Sequence, residues 1–178
     1  TTEQQTLNLD QIRIDGGTQP RVEIDERVVA EYAELYRTGV DLPPVTVFFD
    51  GATYWLADGF HRYWANKRIE CKQVLAEIHS GTKRDAILFS VGANATHGLR
   101  RTNADKRKAV LILIEDKEWS QWSDNDIAKR CGVDHKTVDP VGRSVVVGAA
   151  EEWPGRPHLD DGAVALNLDH AAAPLLCS

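Results

Sequence analysis

Residues 54 to 65 hold the side chains best suited to chemistry, because Asp58, Gly59, His61 and Arg62 lie between an apolar run and a helical pattern. A strand that ends at Asp58-Gly59 and turns directly into a helix would gather the unpaired amides of the first helical turn. The helix dipole favours negative charge there, and the planar guanidinium of Arg62 suits phosphate. The pattern predicts a phosphate site, although an ordinary surface turn has the same sequence signature.

The elements that would position this motif are short and alternate between strand and helix periodicity. Asp25 is a good N-cap, Asp50-Gly51 is typical of a tight hairpin, and Thr102 with Asp105 forms a capping box. The predicted elements are, in order, a strand or sheet edge at residues 7 to 14, a helix at 26 to 38 that ends at Gly39, strands at 45 to 49 and 53 to 57, a helix at 60 to 68, a strand at 72 to 78, a helix capped by Ser80 or Thr82, and a long helix from Thr102 to about residue 118.

Three motifs stand in a recognisable order around the central turn. Thr18-Gln19-Pro20-Arg21 precedes it, Leu42-Pro43-Pro44 leads into the strand at 45 to 49, and residues 93 to 102 follow it. Together they resemble the N-terminal domain of ParB-type chromosome and plasmid partition proteins, which shares its fold with sulfiredoxin. The resemblance covers roughly residues 6 to 118.

This resemblance implies an α/β (α+β) domain with a small mixed sheet, followed by an all-α helix-turn-helix segment. We expect a phosphate- or nucleotide-binding domain at residues 1–101, a helical linker with the helix-turn-helix at 102–147, and a poorly ordered tail at 148–178.

In partition proteins the matching turn reads Gly-Glu-Arg-Arg and cradles the phosphates of CTP, and Gly59 and Arg62 match it whereas Phe60 and His61 do not. In the later Glu-Asn-x-x-Arg motif of the family, the Glu side chain is the magnesium ligand. Ala93 stands in its place here, so Asp58 becomes the candidate magnesium ligand or catalytic base. The resemblance implies CTP or another nucleotide, with Mg²⁺, as cofactors. Arg100 or Arg101 would replace the missing arginine, and the predicted phosphate contacts are Gln19, Arg21, Gly59, His61, Arg62, Asn94, His97, Arg100 and Arg101.

Two enzyme classes compete with a binding role. The Asp58-Gly59-x-His61-Arg62 pattern is also similar to free-serine kinases of this fold, which leaves a small-molecule kinase or a nucleotide hydrolase open. Sulfiredoxin activity is not expected because Phe60 occupies the position of the catalytic cysteine in that family. A nuclease ranks last, since the sequence lacks the cluster of acids that two-metal chemistry requires.

Residues 122 to 138 have the spacing of a helix-turn-helix. Ser123 would cap the first helix, Cys131-Gly132-Val133 would make the turn, and Asp134 would cap the second helix. Asp139-Pro140 should keep the second helix short. A helical hairpin that only packs on the core is the alternative. The predicted DNA contacts are Ser123, His135, Lys136, Thr137, Arg101 and Arg107.

Composition sets limits on these predictions. The net charge of −6 argues against indiscriminate nucleic-acid binding, but residues 100 to 108 hold five basic side chains and one acid. Three widely spaced cysteines and the lack of an apolar span favour a reducing, cytoplasmic location without a membrane. We therefore expect a nucleotide-responsive DNA-binding protein of ParB type that forms a homodimer and acts on double-stranded DNA, in plasmid or phage partition or in transcriptional regulation.

Overall fold

Five strands form one mixed sheet in the structure, a computed structural model that describes residues 2–93 and 99–138. The strands are β1 (Thr2–Asn8), β2 (Ile12–Arg13), β3 (Val45–Phe49), β4 (Tyr54–Asp58) and β5 (Gln73–Ser80). Their spatial order is β1-β5-β3-β4-β2. The β1–β5 and β3–β4 pairs are antiparallel, whereas β3–β5 and β2–β4 are parallel. Predictions for Asn94, His97, Pro140 and the 148–178 tail lie outside the described residues.

Five helices with both ends in the described part of the chain accompany the sheet, and a capping group fixes where most of them begin. They are α1 (Glu26–Arg37), α2 (Phe60–Arg68), α3 (Lys83–Gly92), α4 (Asn103–Ile114) and α5 (Asp124–Cys131). Asp25, Thr82, Thr102 and Ser123 each accept a hydrogen bond from an amide of the helix that they precede. None of these helices combines the length and apolar character that a bilayer span requires.

The sheet separates two layers of packing. One face carries Val45, Val47, Leu56 and Val74 against Phe60 and Tyr63 of α2, and α1 packs on the outer side of α2 through Val29 and Ala33. The opposite face packs Phe48 and Ala57 against Ala86 of α3. The alternation of inward residues along each strand produces these two faces.

A second apolar cluster joins α3, α4 and α5. Its members are Val91, Ala109, Val110, Leu113, Trp119, Ile127, Ala128, Cys131 and Val138. Because α3 contributes both to this cluster and to the sheet, it links the α/β layer to the helical part of the chain.

The predicted fold class, a small mixed sheet followed by helices, is confirmed. The hairpin at Asp50 also forms, with Oδ1 of Asp50 accepting the amides of Ala52 and Thr53. The helix predicted to run to about residue 118 is shorter, since α4 ends at Ile114. Asp116 accepts the amides of Glu118 and Trp119, and this starts a separate 3-10 turn at Trp119–Gln121.

Candidate functional site

The turn at Gly59 has the geometry that the sequence predicts. β4 ends at Asp58, α2 begins at Phe60, and Gly59 between them has a φ of 92°. A Cβ at this position would lie 2.8 Å from Cγ1 of Val45, so only glycine fits. Gly59 is the N-cap of α2 and has no side chain that could cap the helix. The first amides of α2, which have no partner within the helix, lie at this turn.

Arg62 lies across this turn. Its Nη2 donates to Oδ2 of Asp58 at 3.1 Å, and its Nη1 donates to the carbonyl of Pro43 at 3.0 Å. The guanidinium thus bridges the end of β4 and the segment before β3. Asp58, predicted as base or metal ligand, is ion-paired with Arg62.

Potential metal ligands are dispersed among the residues that the structure describes. Among them, no three His, Cys, Asp or Glu side chains come together in a group that could hold a metal. The assignment of Asp58 as a magnesium ligand stays a prediction.

His61 is buried beside the turn and links α2 to α1. Its Nε2 accepts the main-chain N–H of Asp25 at 3.1 Å. Burial lowers the pKa of His61, and the positive charge of Arg21 lowers it further. The imidazole is therefore neutral, with its proton on Nδ1, and it acts here as an acceptor rather than as a cation for phosphate.

Gln19 and Arg21 lie in a loop that is fixed to the start of α4. Gln19 accepts the amide of Arg21 at 3.1 Å. The Arg21 guanidinium donates to the carbonyls of Leu99 and Arg100 and pairs with Asp105 at 3.5 Å. Every one of these Arg21 contacts is internal to the chain, so its described role is to hold the loop in place.

Thr18 in the same loop is fully buried, and its hydroxyl finds no hydrogen-bond partner within the described structure. An unpaired buried hydroxyl is costly. It marks this loop as a place where a ligand or a water molecule would supply the missing bond.

Asp105, which the sequence assigns only to a helix cap, also anchors the loop that carries Arg21. It is buried and accepts the amides of Val22 at 2.9 Å and of Thr102 at 2.9 Å. Burial acts to raise the pKa of Asp105, but these amides and Arg21 lower it more, so the net shift is downward. Its spacing from Ala109 and Leu113, four and eight residues on, places it on the buried face of α4 and could have revealed this role.

The two arginines predicted to replace the family arginine differ in position. Arg100 is exposed. Arg101 is buried and donates to the carbonyls of Val91, Cys131 and Gly132. Because its donors point into the protein, we no longer expect Arg101 to contact phosphate or DNA directly.

Residues 122 to 138, here called the α5 unit, contain α5 and the turn after it. They have the local geometry of the first helix and turn of a helix-turn-helix. Ser123 caps α5 by accepting the amide of Asp126 at 3.2 Å. Gly132 follows with a φ of 61°, and Val133 donates to the carbonyl of Ala128 at 3.0 Å. This left-handed glycine reverses the chain at the end of α5.

A second helical segment starts at His135 and is described to Val138. Asp134 accepts the amide of Lys136 at 2.9 Å at its start. His135 and Lys136 are exposed, Thr137 is half-buried, and Val138 packs in the cluster with α5. In helix-turn-helix proteins in general, the start of the second helix is the part that presents its side chains to DNA.

Two curated proteins of Streptomyces resemble this chain. It is 32% identical over 131 residues to the transcriptional regulator NovG of Streptomyces niveus, covering 72% of this chain and 40% of that protein. It is 31% identical over 104 residues to the "Streptomycin biosynthesis operon possible regulatory protein" of Streptomyces griseus, covering 58% and 29%. The chain thus spans less than half the length of these relatives. No family model matches the chain.

Solved structures of ParB proteins share the architecture. A Pnob8-like ParB-N domain matches with a TM-score of 0.55 at 10% identity, covering 79% of this chain and 68% of that one. The C-terminally truncated ParB of Caulobacter crescentus, solved in complex with the centromeric parS site, matches with a TM-score of 0.53 at 14% identity, covering 79% and 71%. This chain has the ParB/sulfiredoxin-like fold. The ParB-like match, at 79% of 178 residues, is longer than residues 1–101 and so extends into the helical part.

Proposed function

We propose that this ParB-like chain is the DNA-binding part of a transcriptional regulator. The observation that carries the proposal is the α5 unit, in which a capped helix, a left-handed glycine turn and the exposed start of a second helix follow a ParB-like fold. The names of both curated relatives support regulation rather than partition. The complex of the Caulobacter ParB with parS supports DNA as the partner.

Two groups of side chains would contact the duplex in different ways. Lys136 and Thr137, at the start of the second helix, would reach base edges. Arg107 is exposed on α4 and Arg100 is exposed just before it, so both would contact phosphates. A dimer of the chain would place two such units on neighbouring half-sites.

Binding titrations against a duplex selected from a random pool and against random duplex, over a series of salt concentrations, test this assignment. The Lys136→Ala, Thr137→Ala double variant should weaken the selected site much more than random DNA. Arg107→Ala should weaken binding to both duplexes. It should also reduce the salt slope, the magnitude of the slope of log K against log salt concentration, by about 0.9, the value for the loss of one neutralised phosphate. Lys117→Ala, at an exposed position beyond α4, is the matched control and should change neither.

The intact, folded protein must bind duplex DNA at low salt for the proposal to hold. Sedimentation of the protein with and without the selected duplex would show whether two chains bind together. Absence of duplex binding would reject the proposal and favour the kinase or hydrolase alternative.

We also propose that the Gly59 turn binds the phosphates of a nucleotide, with CTP as the first candidate. The support is the start of α2 at a left-handed glycine that no side chain could replace, and the unpaired buried hydroxyl of Thr18 in the loop that carries Arg21. Arg62 would keep the turn in shape and offer its remaining donors to the ligand.

Calorimetric titration with CTP, ATP and GTP tests nucleotide binding directly. Arg62→Ala should reduce the binding free energy of the nucleotide by roughly 1.5–3 kcal/mol, the value of a charge-assisted hydrogen bond. An unchanged affinity would mean that the turn is not the phosphate site. Magnesium-dependent turnover that disappears in Asp58→Asn would instead support the kinase or hydrolase alternative.

A further inference from the structure

The buried guanidinium of Arg101 lies where the ends of two helices meet. It donates to the carbonyl of Val91 at 2.7 Å in the last turn of α3. It also donates to the carbonyl of Cys131, the last residue of α5, and to that of Gly132 at 3.4 Å in the turn that follows. One side chain therefore connects the end of α3 to the turn of the DNA-binding unit.

These carbonyls depend on hydrogen-bond donors from outside their own helices. The last carbonyls of a helix have no partner within the helix, and the helix dipole makes that end negative. Both α3 and α5 present such an end to Arg101. A positive, planar, multidentate donor satisfies acceptors from both helices at once, which a lysine with its single ammonium group cannot do in the same geometry.

The backbone on either side of this contact is held as well. Arg21 donates to the carbonyls of Leu99 and Arg100, the two residues before Arg101, and Arg21 is itself paired with Asp105. Residues 99 to 101 are thus fixed by Arg21 from one side and by their own Arg101 side chain from the other. Arg101 is only 7% exposed, so it offers no surface to a phosphate.

We infer that Arg101 is a positioning residue of the DNA-binding unit. It sets the turn at residues 131 to 134, and with it the direction of the helix that starts at His135, relative to α3. This inference rests on the proposed DNA-binding function, and it replaces the direct DNA or phosphate contact that the basic stretch suggests for Arg101.

Positioning and phosphate contact give different signatures. Removal of a phosphate contact weakens all sequences and lowers the salt slope. Failure of positioning misplaces base-reading side chains, so it weakens the selected site while leaving the salt slope unchanged. A merely structural role, in which the variant populates more unfolded protein, would lower binding to selected and random DNA by the same factor.

The experiment compares Arg101→Lys and Arg101→Met with Arg107→Met, a control at an exposed basic position on α4. Affinities for selected and random duplex are measured over a salt series, together with amide hydrogen exchange at Gly132 and Val133, whose N–H groups donate to α5 carbonyls. For both Arg101 variants we expect the affinity for the selected site to fall about tenfold or more, as for one mismatched base pair, with an unchanged slope and faster exchange. For Arg107→Met we expect a reduced slope and unchanged exchange.

Three results would overturn the inference: a salt slope that falls in Arg101→Lys as it does in Arg107→Met, an equal loss of affinity for selected and random duplex, or exchange at Gly132 and Val133 that stays at the parent rate. Should neither Arg101 variant fold, Arg21→Lys loosens the same segment from the other side and must produce the same faster exchange. If the parent protein binds no duplex, the proposed function fails, while the exchange measurement still decides whether Arg101 holds the turn.

Discussion

The imidazole Nε2 of His61 accepts the main-chain N–H of Asp25 at 3.1 Å, so a single neutral ring joins the first turn of α2 to the N-cap of α1. The same α2 turn contains the glycine of the candidate phosphate site. The packing of α1 on α2 and the shape of that turn therefore depend on the same side chain staying unprotonated.

Acidification should destabilise the protein through His61. Its folded pKa lies below the ordinary value because burial and Arg21 disfavour the charged ring. Between that folded pKa and the ordinary value of about 6.5, the unfolded chain binds a proton that the folded chain does not. The free energy of unfolding should thus fall as the pH drops below about 6.5.

Urea denaturation of the parent and of His61→Gln, each at neutral pH and at a pH about one unit below the ordinary histidine pKa, measures this effect. Glutamine keeps an acceptor but does not titrate, so the variant should lose less stability between the two pH values than the parent. His79→Gln, on β5, serves as the control. An identical loss in parent and His61→Gln would show that His61 does not contribute.

Gly59→Ala should lower the free energy of unfolding more than Gly51→Ala does. Both glycines have a positive φ, 92° and 99°, so both variants pay a backbone strain of roughly 1–2 kcal/mol. Only at Gly59 does the new Cβ also meet Val45 at 2.8 Å, whereas nothing lies within 4 Å of a Cβ at Gly51. Overpacking should add about 1–3 kcal/mol at Gly59. Equal losses in chemical denaturation would mean that Val45 moves aside freely.

Asp105→Asn should lower the free energy of unfolding far more than Asp85→Asn does. Both aspartates close a capping box with a threonine, at Thr102 and Thr82. Asp105 is also buried, pairs with Arg21 and accepts the amide of Val22, so its replacement should cost roughly 3 kcal/mol. Asp85 is exposed and serves only the cap, where asparagine keeps an acceptor, so its change should cost no more than about 1 kcal/mol. Similar free energies of unfolding for both variants would show that the Arg21 contact adds nothing to the cap.

Thr18→Val should stabilise the unliganded protein. The Thr18 hydroxyl is buried without a partner in the described structure, and removing such a group recovers about 1–3 kcal/mol of desolvation cost. Thr102→Val is the opposite control, since the Thr102 hydroxyl accepts the amide of Asp105 and its removal should destabilise. If the hydroxyl serves the nucleotide, Thr18→Val should also weaken nucleotide binding. A destabilised Thr18→Val variant would show that the hydroxyl is satisfied by water.

The features that the sequence predicted well depend on neighbours in the chain. Asp25, Thr102 and Ser123 cap helices through amides two or three residues away, and the strand–glycine–helix turn at Gly59 is equally local. Such contacts follow from residue type and spacing. The beginning of each of these helices was therefore predictable.

The roles of Arg21 and Arg101 were not predictable in this way. Arg21 meets Asp105 across 84 positions, and Arg101 meets Cys131 across 30. Basic residues near a phosphate motif are typical of surface contacts, and only the fold shows that these two are buried among carbonyls. The pairing of β2 with β4 at the far edge of the sheet was missed for the same reason, because strand order is set by long-range packing.

The pairing of β1 with β5 places Thr2 opposite His79. The first of the five strands along the chain therefore finds its hydrogen-bonding partner only in the last. At about 5–20 residues per second, a ribosome would need roughly 4–15 s to deliver β5 after β1. In that interval the β3–β4 hairpin, joined by a tight turn, can already form. β1 must wait without its partner strand, and the charge of Glu3 in its sequence disfavours edge-to-edge self-association on the nascent chain.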